Sequence, residues 1–186
     1  GAVFMSKQVG IEDIITLDIG GTSADVCLIN KGNPLVSTTN KIDGNAIAVP
    51  MLDIVTVGAG GGSIAWIDSG GMLQVGPQSA GADPGPACYC RGGTKPTLAD
   101  ALAYRGLLRP DHFAGGNYKL DPELSKKVIG EIAQKMNVTS DEMAEAICRV
   151  MEANTMQAVR LASTERGYDA RNYTMVAFGG AGALMA

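Results

Sequence analysis

The sequence predicts one α/β domain: a mixed sheet with packed helices, interrupted by a glycine- and proline-rich insertion. Three stretches predict it. Residues 16–29 read TLDIGGTSADVCLI, two apolar strands joined by a tight glycine turn, which is the pattern of a hairpin. Residues 122–136 and 140–166 carry apolar side chains at helical spacing. Residues 173–178 form a last apolar strand that runs directly into Gly179-Gly180-Ala181-Gly182 and the start of a helix.

Taken in order, residues 3–11 fit either a strand edge or a tail. Residues 14–18 and 25–29 are the two hairpin strands, Lys31-Gly32-Asn33-Pro34 is a turn, and residues 35–39 are rich in β-formers and predict a third strand. Residues 44–96 change character and hold many of the glycines and prolines. Within them a short strand at 54–57 leads into GAGGGS at 58–63. A second hairpin follows, with strands at 64–68 and 72–75 around Ser69-Gly70-Gly71. Residues 76–93, GPQSAGADPGPACYCRGG, suit neither a long helix nor a long strand; apolar flanks and few charges predict an ordered loop, and loops of this length are usually functional. A short helix is expected at 97–108, N-capped by Thr97 with Asp100 three residues on and stopped by Pro110. The helix at 122–136 presents Leu124, Val128, Ile129, Ile132 and Met136. The next is N-capped at Ser140 and ends at Gly167.

The hairpin turn carries the chemistry. Asp18 ends the first strand, Gly20, Gly21, Thr22 and Ser23 make the turn, and Asp25 opens the second strand. Glycines let the backbone approach a ligand and aim successive N–H groups at it, which suits a phosphate, and a flanking carboxylate can hold Mg²⁺ directly or through water. An ordinary glycine turn is the plainer alternative, but acid, GGTS and a second acid between two apolar strands favours phosphate binding. Gly179, Gly180 and Gly182 predict a second close approach to the same ligand. Both glycine loops are therefore expected on one side of the domain. GAGGGS lacks the dinucleotide spacing and no clear helix follows it, so a Rossmann site is rejected.

Composition narrows the function classes. The chain has 186 residues, 46% hydrophobic and 18% charged, enough for one domain with a full core. Its net charge of −4 and lack of a basic stripe argue against nucleic acid, and its apolar runs are too short to span a bilayer. No signal peptide is visible, and the first residue is Gly1, as expected of a piece excised from a longer protein. Cys27 and Cys148 fall in apolar patterns and read as small buried residues. Cys88 and Cys90 form a CxC pair that, with His112 as the one histidine, lacks the ligands of a zinc site. This cysteine usage fits a reducing cytoplasm.

Five motifs in order resemble the hydantoinase A / 5-oxoprolinase family: DIGGTSADV (18–26), PMLDIVTVGAGGGSIAWID (50–68), VGPQSAGADPGPACY (75–89), GGTKPTLADA (92–101) and ERGYDARNYTMVAFGGAG (165–182). The family includes N-methylhydantoinase, 5-oxoprolinase and the ATP-binding subunits of acetone and acetophenone carboxylases. The resemblance implies one ribonuclease H-like half of an actin-like ATPase fold, with ATP clamped between two halves. The turn after Asp18 would be the second phosphate loop and residues 179–182 the adenosine-side loop. The N-terminal half, with its own acidic glycine loop, would be missing here, so this half alone is expected to fold but not to turn over ATP. Residues 43–117 would be an insertion facing the substrate.

The implied function is an ATP-dependent hydrolase opening a cyclic amide of the hydantoin or 5-oxoproline type, working with a hydantoinase B-type subunit or domain. Asp18 and Asp25 would organise Mg²⁺, and Gly20, Gly21, Thr22, Ser23, Gly179, Gly180 and Gly182 would hold ATP. Asp53, Gly60, Gly61, Gly62, Ser63 and Asp83 would meet the substrate or another domain. The alternatives are the ATP-binding subunit of a ketone carboxylase and a nucleotide-binding or assembly subunit without chemistry of its own. Four positions depart from the family's habit. Val55 and Met185 stand where histidine is common, Cys90 where glycine is usual, and Ala183 where proline or glycine is common. The two missing histidines argue against histidine chemistry in this half.

Overall fold

The computed structural model describes residues 1–38, 40–42 and 45–186. Thr39, the expected end of the third strand, and Asp43 and Gly44, where the insertion was expected to begin, lie outside the described residues.

The chain opens with a helix, α1 (Ala2–Val9), rather than a strand edge or tail. Gly10 closes it in the left-handed region (φ 70°), and the Ser6 hydroxyl bonds back to the Val3 carbonyl. Only Ser6 is buried, and Phe4, Met5 and Val9 lie exposed, so the apolar residues carried no single-faced period to read.

β1 (Ile14–Ile19) and β2 (Ala24–Asn30) form the expected hairpin, in antiparallel register from Ile14↔Ile29 to Ile19↔Ala24. β1 is buried along nearly its whole length because it is the central strand. After β2, Lys31 and Gly32 both take positive φ (49° and 73°), the two-residue turn that matches strand twist. This turn lays β3 (Asn33–Pro34) against Ile29 and Asn30. The chain then leaves the sheet. β4 (Val36–Ser37) and β7 (Met51–Leu52) pair with each other, as do β5 (Asn40–Ile42) and β6 (Asn45–Ile47). The place expected for a strand at 35–39 is taken instead by β8 (Ile54–Val57), which pairs antiparallel with residues 24–27 of β2. β9 (Ser63–Ile67) and β10 (Leu73–Ser79) are the second hairpin.

α2 (Leu98–Tyr104) starts on the expected capping box of Thr97 and Asp100, but Gly106 in the left-handed region (φ 73°) ends it before Pro110 can. α3 (Pro122–Met136) has its expected bounds, with Asp121 as N-cap. α4 (Ser140–Ala162) is capped by Thr139, one residue before the expected Ser140. That shift makes Glu142 the third helical residue and completes a capping box: the Glu142 carboxylate accepts from the Thr139 N–H at 2.8 Å, and the Thr139 hydroxyl accepts from the Glu142 N–H at 3.2 Å. Thr139→Ala is therefore expected to lower stability by about 1 kcal/mol, read as a shifted urea midpoint at unchanged slope. The helix ends at Ala162, where the Ser163 hydroxyl bonds to the Val159 carbonyl, and a single 3₁₀ turn (Thr164–Arg166) carries the chain to Gly167. β11 (Thr174–Phe178) and the short α5 (Gly182–Met185) complete the chain.

β11 runs parallel to β1, from Ile14↔Thr174 to Asp18↔Phe178, so the main sheet is mixed, in the order β11-β1-β2-β3 with β8 also on β2. One face is packed by helices: Leu17, Ile19, Val26 and Leu28 share a core with Leu98 and Leu102 of α2, Ile129 of α3, and Ile147 and Met151 of α4. The fold is α/β, a mixed sheet with packed helices.

Residues 76–79 of the expected loop belong to β10, and the loop that remains, 80–93, is tied to the helices by one carboxylate. Asp100 is wholly buried and accepts five hydrogen bonds: Ala87 N–H (3.3 Å), Cys88 N–H (2.8 Å), Thr97 N–H (3.0 Å), Thr97 hydroxyl (2.7 Å) and Ser125 hydroxyl (3.1 Å). These donors come from the loop, the start of α2 and the start of α3, so Asp100 ties three segments together. Burial and the nearby Asp100 carboxylate push the Cys88 thiol far above its ordinary value, so it stays a neutral core group. Cys90 adopts φ 59°, a left-handed conformation that glycine would reach at less steric cost.

Candidate functional site

The register of β1 and β2 sets Asp18 directly opposite Asp25. Both point away from the helix-packed core, which takes the alternating Leu17, Ile19, Ala24 and Val26. Like charges directly opposite each other destabilise a strand pair. Neither acid belongs to an ion pair among the described residues. Asp25 accepts a 2.5 Å hydrogen bond from the Thr56 hydroxyl, which β8 places opposite it. Thr56 was not singled out in the sequence, because only the β2–β8 register shows that it faces Asp25.

The turn between the acids closes on a bond from the Gly20 N–H to the Ser23 carbonyl (3.1 Å). Thr22 and Gly21 are exposed, and the N–H groups of Gly21 and Thr22 have no protein acceptor among the described residues. Parallel pairing of β11 with β1 brings the second glycine loop alongside. Gly179 has φ 86°, and a Cβ there would strike the Asp18 carboxylate and lie 2.6 Å from the Ile19 carbonyl, so only glycine fits. The Ala181 N–H bonds to the Ile19 carbonyl at 2.9 Å. The two loops meet around a cavity of about 100 Å³ lined by Gly20, Gly21, Gly180 and Ala181, with Tyr89, Leu102 and Phe113. Gly20 and Gly180 thus line one cavity, on the same side of the domain, as expected.

Of the other expected site residues only Gly61 also lines this cavity. Gly182 is buried beneath β1, where a Cβ would sit 3.2 Å from the Leu17 carbonyl; it packs the core instead of facing a ligand. Gly60, Gly61, Gly62 and Ser63 are buried behind the Gly20-Gly21 turn. Their N–H groups are taken: Gly61 donates to the Gly20 carbonyl (2.9 Å), Gly62 to the Gly21 carbonyl (2.6 Å), Gly60 to the Ser63 hydroxyl (2.8 Å) and Ser63 to the Gly60 carbonyl (2.9 Å). They offer no free donor to a substrate. Asp53 forms an ion pair with Arg166 at 2.7 Å, both side chains mostly shielded, linking the 3₁₀ turn after α4 to the residue before β8. Asp83 is exposed in the proline loop. Val55 packs against the core on the face opposite Thr56, and Met185 is buried. Histidines at those two positions would therefore not face the acid pair.

The donor set fits a hydrated Mg²⁺. Such an ion takes one or two carboxylates and completes its shell with water and phosphate oxygens. Two neighbouring carboxylates without a protein cation, beside free backbone N–H groups, are of that kind. Among the described residues no group of three or more His, Cys, Asp or Glu could form an all-protein metal cage. A concavity of about 660 Å³ between β9 and α3 is lined by neither acid. No helix among the described residues is long and apolar enough to cross a membrane.

The family model described as hydantoinase/oxoprolinase matches residues 1–186. The chain belongs to the hydantoinase/oxoprolinase family. It is 39% identical to the caprolactamase subunit alpha of Pseudomonas jessenii, over 97% of this chain and 26% of that subunit. It is 38% identical to the acetophenone carboxylase gamma subunit of Aromatoleum aromaticum, over 98% of this chain and 25% of that subunit. The crystal structure of the ATP-dependent caprolactamase from Pseudomonas jessenii superposes with a TM-score of 0.91 at 37% identity, covering 99% of this chain and 27% of that one. The chain thus spans about a quarter of the length of the curated relatives it matches.

Proposed function

We propose that this domain is the nucleotide-binding half of an ATP-dependent hydrolase that opens a cyclic amide, as one jaw of an actin-like clamp. The observation that carries this reading is the Asp18–Asp25 pair, two carboxylates held opposite each other beside the unpartnered N–H groups of Gly21 and Thr22. A protein bears such repulsion where a cation relieves it. Asp18 and Asp25 would hold Mg²⁺, with Thr56 fixing the orientation of Asp25. The N–H groups of Gly21 and Thr22, with the Thr22 hydroxyl and Ser23, would grip phosphate oxygens. Gly179 and Gly180 would let the nucleotide lie against the backbone. Amides are poor electrophiles; bound ATP supplies the phosphoryl group that activates the amide oxygen. The protein's part is then positioning and charge neutralisation.

A complete clamp needs a second jaw, so activity belongs to the full-length protein in the cytoplasm, together with a hydantoinase B-type partner. Likeness to an ATP-dependent caprolactamase supports a cyclic amide substrate. Likeness to an acetophenone carboxylase subunit favours a second reading, activation of a ketone for carboxylation. Phosphate release by the full-length protein, alone and with its partner, tests both. Stimulation by a lactam, hydantoin or 5-oxoproline is the expected result. Stimulation only by ketone plus bicarbonate selects the second reading, and no stimulation by either leaves a nucleotide-binding subunit without chemistry of its own.

A further inference from the structure

We propose that the buried turn at residues 60–63 is the positioning element of the phosphate loop, holding two peptide planes so that the Gly21 and Thr22 N–H groups face a bound phosphate. The proposal rests on the reading of residues 20–23 as a phosphate loop. A trans peptide plane carries its carbonyl and its N–H on opposite sides. The Gly20 carbonyl and Gly21 N–H share one plane; the Gly21 carbonyl and Thr22 N–H share the next. Gly61 donates to the first carbonyl at 2.9 Å and Gly62 to the second at 2.6 Å. Both carbonyls are thereby drawn toward the buried turn, and both N–H groups point out, where no protein acceptor meets them. Without these bonds a Gly-Gly pair would rotate freely, since glycine reaches both halves of backbone space.

The bonds continue inward as two relays. In one, the Ala99 N–H in the first turn of α2 donates to the Gly61 carbonyl (2.7 Å). The same peptide's Gly62 N–H donates to Gly21, whose plane ends in the Thr22 N–H. In the other, the Ser63 N–H donates to the Gly60 carbonyl (2.9 Å), whose plane carries the Gly61 N–H to Gly20 and so to the Gly21 N–H. Hydrogen bonds in series polarise one another, by about 10–30% per bond, which makes the two terminal N–H groups better donors to an anion. The relay through Ala99 also gives a use to a helix-start N–H that would otherwise lack a partner.

The closeness explains the glycines. A Cβ on Gly60 would lie 2.6 Å from the Gly21 carbonyl carbon, and one on Gly62 would lie 2.9 Å from the Gly21 oxygen. A side chain at either position displaces the loop it is meant to hold.

The test is calorimetric titration of the full-length protein with Mg-ATP. Gly62→Ala is expected to weaken Kd about tenfold or more, the equivalent of losing one charge-assisted hydrogen bond. Ser63→Ala adds no bulk but frees the Gly60 N–H from its acceptor; it is expected to weaken Kd in the same direction by less, and it decides the matter if Gly62→Ala does not fold. Ile147→Val, on the buried face of α4, serves as the stability control and is expected to lower Tm without moving Kd. Unchanged Kd in a folded Gly62→Ala or Ser63→Ala, while Asp18→Asn weakens binding, overturns the positioning role and leaves the phosphate loop standing. A Kd that follows Tm in all variants, Ile147→Val included, also overturns it. If Asp18→Asn too leaves Kd unchanged, the phosphate-loop reading falls and takes this proposal with it.

Discussion

Asp18→Asn in the full-length protein is expected to cut ATP turnover by on the order of 10²–10³-fold while leaving the fold intact. The side chain keeps its shape but loses the charge that a cation needs. In the absence of Mg²⁺ the substitution relieves repulsion with Asp25 across the strand pair, and no ion pair is lost among the described residues. Stability should therefore change by less than about 0.5 kcal/mol, as for a half-buried polar side chain whose replacement keeps its shape. Phosphate-release rates and thermal melts with and without Mg²⁺ give both readings. Turnover at the wild-type rate, or a variant that fails to fold, would sink the assignment of Asp18 to the cation.

The largest stability effect is expected at Asp100, far from the acid pair in role. Its Oδ2 accepts from the Ala87 N–H, the Thr97 N–H and the Thr97 hydroxyl, and its Oδ1 from the Cys88 N–H and the Ser125 hydroxyl. Asp100→Asn replaces one of these oxygens with an NH₂ group that faces two or three donors. The buried donors left without an acceptor cost about 1–3 kcal/mol each, so a total near 3 kcal/mol is expected. The loss should concentrate in the loop at 80–93 and the start of α2. Hydrogen exchange would show it as faster exchange of the Ala87, Cys88 and Thr97 amides, with the β1–β2 hairpin still protected. Uniform loss of protection across the whole sheet would contradict the view of Asp100 as a local tie. Asp100→Ala leaves every donor unpaired and should be worse than Asp100→Asn.

These two carboxylates show how differently acids in one chain can be legible. Asp18 could be found from the sequence because an acid between an apolar strand and a glycine turn is a local pattern. Asp100 was visible only as a helix cap. Its bonds to Ala87, Cys88 and Ser125 join residues up to 25 positions apart, and no local pattern records them. The same holds for Thr56, which faces Asp25 from 31 residues away.

Local chemistry in the sequence determined the β1–β2 hairpin, the last strand with its glycine loop and the bounds of α3. Each rests on side-chain periodicity or on backbone geometry set within a few residues. The tertiary structure alone decided what the second glycine run does. GAGGGS has the composition of a ligand loop, yet β8 ends beside the hairpin turn, so its N–H groups meet the Gly20 and Gly21 carbonyls and are consumed there. Likewise Asp53 finds Arg166 across 113 residues, and Gly182 falls beneath β1, because strand pairing brings distant segments into contact. Glycine permits close approach of backbone without specifying what approaches. Only the packed sheet determines whether that partner is a ligand, as at Gly21 and Thr22, or another strand end, as at Gly60 and Gly62.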